Sequence, residues 1–109
     1  MDDLRTQLIE VQLKRLRSVL ASPELVYFVP RTENRNCLFE LNLTQQEVIS
    51  TLRSLVAAEY VKGPEADENG SPGQVWVFRQ LLKRREIYIK FKLYDDDGVE
   101  KLTIISFHL

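Results

Sequence analysis

Residues 87–109 limit what this chain can become more than any other stretch. They read I-Y-I-K-F-K-L-Y, then an acidic turn containing glycine, then L-T-I-I-S-F-H-L. Successive side chains of a strand point to opposite faces. Ile87, Ile89, Phe91 and Leu93 therefore share one face, and Tyr88, Lys90, Lys92 and Tyr94 share the other. Such alternation asks for an antiparallel strand pair with its apolar face covered and its cationic, phenolic face in water.

The cover is legible upstream. Over residues 3–21, Ile9, Leu13, Leu16 and Leu20 recur at helical spacing, with Lys14, Arg15 and Arg17 on the outer side. Ser22-Pro23 ends that helix, because the residue before a proline disfavours helical geometry. Residues 25–29 are a short strand candidate, and residues 30–36, with Arg31 and Arg35, read as a polar connection. Thr44 and Glu47 form a capping-box pattern, with Leu43 and Val48 placed for a hydrophobic staple. The second helix presents Val48, Leu52 and Leu55 inward, with Ile49 and Val56 flanking. Residues 63–73 are rich in acidic and turn-forming residues and read as a loop. A strand starts at Val75, and residues 83–85 make a basic hairpin turn. The expected class is α+β: N-terminal helices packed on a small, mainly antiparallel sheet.

The length, 109 residues, suits one domain over residues 1–109. A net charge of −1 excludes a molecule that attracts nucleic acid as a whole, so any such attraction must be local. The single cysteine, Cys37, cannot form an internal disulfide, and no spacing suggests a metal site. The opening M-D-D-L-R-T-Q lacks the apolar core of a signal peptide, and no run approaches the roughly 20 apolar residues of a membrane span. A cytoplasmic chain with no membrane partner is the expectation.

No glycine-rich phosphate loop, paired-histidine motif or nucleophile elbow is present. Asp95-Asp96-Asp97-Gly98 lacks the spaced ligands of a calcium loop and reads as a solvated turn. Lys90 and Lys92 lie mid-strand between Tyr88 and Tyr94. Lysines there can simply blunt a sheet face, or they can hold phosphates while the rings stack on unpaired bases. The only histidine, His108, ends the last strand, and register decides its side. Pairing Tyr94 with Val99 sends His108 to the apolar face. Pairing Tyr94 with Glu100 across a five-residue loop, or a bulge of the same effect, brings it out above Tyr88.

Five ordered segments resemble the MqsR family of bacterial toxins. They are E-L-N-L-T-Q-Q-E-V at 40–48, E-Y-V-K-G-P-E-A-D at 59–67, G-Q-V-W-V-F at 73–78, E-I-Y-I-K-F-K-L at 86–93 and I-I-S-F-H at 104–108. The resemblance spans residues 29–108 and rests on order and spacing together. It implies a RelE-like fold and the toxin half of a type II toxin–antitoxin module. It also implies an endoribonuclease that cuts mRNA without a metal or other cofactor, neutralised by a cognate antitoxin. By the same resemblance Lys62 and Tyr88 match active-site residues, and His108 stands where the best-known member carries a lysine. Gln74 matches a family glutamine across a gap. Arg79, Lys90 and Lys92 are expected to hold the RNA backbone.

On this reading His108 is the general acid or base, since imidazole is the side chain that changes charge near neutrality. Lys62 supplies charge at the phosphate, and Tyr88 donates a hydrogen bond or orients the 2′-hydroxyl. A binding module that only docks an antitoxin or another protein is the alternative from a different class.

Overall fold

The structure, a computed structural model, describes residues 3–109. The helix α1, Leu4–Leu20, begins at Asp3, whose carboxylate accepts from the Thr6 N–H at 2.8 Å. It buries Ile9, Leu13, Leu16 and Leu20 as the spacing requires, together with Val19. A helical turn at Pro23–Leu25 leads into the three-residue strand β1, Val26–Phe28.

Residues 30–36, expected to be a connection, instead contain most of a helix, α2, Thr32–Glu40. No side chain caps its start, and only Asn34 and Cys37 are buried on it, so it carries no apolar stripe. Its end is better signalled. Asn42 takes the left-handed conformation (φ 54°), and the Leu43 N–H donates to Leu38 O at 2.8 Å, closing a Schellman turn. The ammonium of Lys83 reaches Leu41 O at 2.8 Å and supplies positive charge to the same helix end.

The helix α3, Gln45–Arg53, starts with the full capping box. The Glu47 N–H donates to Thr44 Oγ1 at 3.2 Å, and the Thr44 N–H donates to Glu47 Oε1 at 3.0 Å. Leu43 and Val48 are both buried, as a staple requires. Thr44→Ala is expected to lower stability by about 1 kcal/mol, read as a shift in urea midpoint at constant slope.

The loop expected at 63–73 is shorter than that. Tyr60–Ala66 form an edge strand, β2, and only residues 67–73 connect it to β3, Gln74–Leu82. Gly63-Pro64 reads as a turn in sequence, but an edge strand with bulges tolerates both residues, and the β2 register shifts twice. Gly63 is required there: its φ is +126°, and an added Cβ would lie 2.7 Å from Val75 O.

β3 turns through Lys83 and Arg84 into β4, Arg85–Asp96. β4 turns through Asp97 and Gly98 into β5, Val99–His108. All four turn residues have positive φ, which matches two-residue hairpin loops to strand twist. The sheet order is β1-β5-β4-β3-β2, antiparallel except where β1 runs parallel to β5. An α+β fold results, with α1 and α3 covering one sheet face. Ile87, Ile89, Phe91 and Leu93 from β4 meet Phe78, Leu102, Ile104 and Phe107 in that core.

Candidate functional site

The uncovered sheet face owes its chemistry to one irregularity in β5. Neither simple register occurs. Tyr94 pairs with Lys101, and the loop has two residues rather than five. Continued regularly, that pairing would put Phe107 outside and His108 inside. Between Lys90 and Phe91 on β4 the register shifts, because Ile105 is an extra residue on β5. Beyond this bulge Ser106 pairs with Lys90, Phe107 turns into the core, and His108 comes to face Tyr88. Burying Phe107 drives the shift: Ile104 and Phe107 are three positions apart, and a period of two cannot bury both.

Asn34 of α2 fixes the bulge. β1 stops at Phe28, and the chain leaves the sheet after Val29. The Asn34 side chain then takes over the edge of β5. Its Nδ2 donates to Ile105 O at 3.0 Å and Val29 O at 2.9 Å, and its Oδ1 accepts from the Phe107 N–H at 2.9 Å. The backbone groups released by the bulge are thus satisfied by a residue only 1% exposed.

Tyr88 and His108 stack, with ring centroids 5.3 Å apart and planes inclined by 25°. His108 Nδ1 lies 3.0 Å from Leu109 O. That oxygen only accepts, so the tautomer that suits the contact carries its proton on Nδ1 and leaves Nε2 as the acceptor.

Lys62 does not join this pair. It sits across from Val77, which is beside Lys90, which is beside Ser106. Three strand spacings, about 14 Å of backbone, separate Lys62 from Ser106, and His108 is farther along β5. The Lys62 ammonium lies 3.7 Å from Glu65.

The other expected contacts divide. Lys92 is on the outer face but is engaged: its Nζ lies 2.8 Å from Asp67 Oδ2, with side chains 12% and 14% exposed, and 5.3 Å from the Tyr94 ring centroid. Arg79 pairs with Tyr88 across the ladder, and its guanidinium binds Glu86 at 3.0 Å. Gln74 alternates with Trp76 and Phe78, so it belongs to the helix-covered side and does not meet the lysines. Among the described residues, Lys90 is the one cation of this face without a carboxylate partner.

A groove of about 790 Å³ runs over this face, between Lys62, Lys90, Lys92, Asp67 and Arg31. Arg31 was only a charge in a connecting segment until α2 and β5 came together. The acidic segment closes one side through the Asp67–Lys92 pair. That hydrogen bond, then one from the Asn69 N–H, hold the Asp67 carboxyl below the usual carboxylate range. A depressed folded value means that the clasp stabilises above the ordinary carboxylate pKa and is lost as pH falls through the folded one. Protection of the amides in residues 67–73, taken against their intrinsic base-catalysed exchange rate at each pH, is therefore expected to fall in excess of any global change as pH drops from about 5 through the lowered carboxyl pKa. Asp67→Asn should remove that excess.

Cys37 and His108 border a second depression of about 220 Å³. Burial first, and Glu40 second, push the Cys37 thiol up, which disfavours the nucleophilic thiolate. Among the described residues no three His, Cys, Asp or Glu side chains are grouped to hold a metal ion. No described helix is long and apolar enough to cross a membrane. No family model, curated protein or solved structure matches the chain.

Proposed function

We propose that this chain is an RNA endonuclease of the MqsR type, with a RelE-like fold. In this reading it is a toxin that cuts mRNA without a metal and is held in check by a cognate antitoxin. The Tyr88–His108 stack on a cationic sheet face carries the proposal. A buried bulge turns the only imidazole of the chain out of the core and onto the phenol, beside the Lys90 ammonium, which has no carboxylate partner among the described residues. The ordered segments at 40–48, 59–67, 73–78, 86–93 and 104–108 support the same reading.

The chemistry follows from the residues. His108 Nε2 takes the proton of the RNA 2′-hydroxyl. O2′ then bonds to the adjacent phosphorus, and the bond from phosphorus to O5′ breaks. In this reading the departing O5′ receives its proton from the Tyr88 hydroxyl or the Lys90 ammonium. Tyr88 also fixes the plane of the imidazole. Lys90 stabilises charge on the phosphate oxygens, the role first expected of Lys62. Lys62, three strand spacings away, holds the flanking backbone in this reading instead. Products are a 2′,3′-cyclic phosphate and a 5′-hydroxyl.

End mapping tests this directly. Purified protein incubated with RNA in EDTA is expected to leave cyclic phosphate ends. Ends bearing a 3′-hydroxyl and a 5′-phosphate would require external water as nucleophile and would end the proposal. One observation favours a second reading, a binding module that docks an antitoxin or other protein without cleaving. Lys62, Lys92 and Arg79 are each already paired with a carboxylate of the chain itself. Expression toxicity that persists unchanged in both His108→Ala and Tyr88→Ala would select that reading.

A further inference from the structure

We infer that Arg31 is the principal phosphate anchor of this face, held in place by Ser106 and working with Lys90. The inference rests on the RNA reading above and adds to it a residue that no sequence motif supplied. Arg31 precedes α2, and its Nη1 donates to Ser106 Oγ at 3.1 Å. Ser106 is the outer-face residue immediately after the bulge, opposite Lys90 and one same-face step from His108. It is 2% exposed although it faces away from the core. The Arg31 side chain, 44% exposed, lines the groove together with Lys90.

The chemistry of this group suits a phosphate better than the lysines do. A guanidinium has five N–H donors in a planar fork and grips two phosphate oxygens at once. Two donors are committed, one to Ser106 and one to Glu33 at 3.2 Å, so others remain for a ligand. Ser106 fixes the direction of the fork, and its partner Lys90 brings a second positive charge across the ladder. One same-face step along a strand is about 7 Å. A phosphate held between Arg31 and Lys90 therefore lies beside the Tyr88–His108 pair. Ser106 is a positioning residue, since its hydroxyl acts through Arg31.

The test separates anchoring from cleavage. Affinity for a single-stranded 2′-O-methyl RNA, which cannot attack its own phosphate, is measured by fluorescence anisotropy over a range of salt. Cleavage of the unmodified RNA is followed in parallel. Wild type is compared with Arg31→Gln, Arg31→Lys and Ser106→Ala, each checked for native unfolding temperature. Arg31→Gln is expected to weaken binding about ten-fold. It should also reduce the slope of log K against log salt by about 0.7, the share of one phosphate contact on a single strand. Arg31→Lys should recover the slope but not the affinity, and Ser106→Ala should lose affinity with the slope intact. Wild-type affinity and slope in Arg31→Gln and Arg31→Lys would overturn the anchor while leaving cleavage standing. Loss of affinity and slope in Arg31→Gln, with no cleavage by wild type, would support the anchor and remove the nuclease reading. Failure of wild type to bind the oligonucleotide at low salt would overturn the anchor, and failure to cleave the unmodified RNA as well would overturn both.

Discussion

On the proposed nuclease reading, replacing His108 with alanine is expected to slow RNA cleavage by about 10²–10⁴-fold, the usual contribution of one positioned proton-transfer group. The side chain is half-exposed at the end of β5, and its ring touches Tyr88 rather than the core. Stability should therefore change little, and circular dichroism and the unfolding midpoint should remain those of wild type. Tyr88 then divides two roles. Tyr88→Phe keeps a ring to stack on the imidazole and removes the hydroxyl, whereas Tyr88→Ala removes both. A rate for Tyr88→Phe near wild type, with Tyr88→Ala slow, assigns the phenol to holding the ring. Equal losses in both assign it to its O–H. Lys62→Ala should act mainly on binding, with KM raised and kcat nearly kept, because it lies strands away from the Tyr88–His108 stack. A His108→Ala protein that folds normally and cleaves at the wild-type rate would remove the imidazole from the mechanism.

The largest effect on folding is expected at Asn34. Its side chain satisfies Ile105 O and the Phe107 N–H, backbone groups that the bulge leaves without strand partners. Val29 O also accepts from the Arg31 N–H at 2.9 Å, so it would keep one partner. Each buried polar group left unpaired costs about 1–3 kcal/mol. Asn34→Ala should therefore lose about 2–6 kcal/mol in urea unfolding, a large part of what holds a domain of this size together. Asn34→Asp keeps the acceptor for Phe107 but loses both donors and buries a carboxylate, so it should be at least as damaging near neutral pH. The consequence reaches the site. If the bulge relaxes, His108 no longer meets Tyr88, and cleavage should fall in Asn34→Ala even where the protein is still folded. An Asn34→Ala protein as stable as wild type would mean that other groups, or water, hold the bulge.

Some of this molecule follows from local rules. The alternation from Ile87 to Leu93 needs only the period of a strand, and those side chains are inside. Thr44 and Glu47 cap α3 because a short polar side chain before a helix has orphan N–H groups within reach. The stripe on α1 lies where its spacing put it. The helix α2 is different. Its inward residues are an amide and a thiol, and what holds it is β5, more than sixty residues away in the chain. The strand β2 is hidden in the sequence because Gly63 and Pro64 signal a turn in isolation, while an edge position makes both acceptable. The bulge has one local signal, the odd spacing between the apolar residues Ile104 and Phe107.

The sequence by itself determined an apolar strand face, its helical cover and a cationic face beyond it, since those depend on periodicities within single elements. The tertiary structure decided which charges on that face remain free and which rings touch. Asp67 neutralises Lys92 across the sheet, Arg31 arrives from the start of α2, and Asn34 sets the bulge that turns His108 toward Tyr88. Each of these joins residues far apart along the chain, and a side chain's partners across such a gap are fixed only when the packed elements bring them within bonding distance.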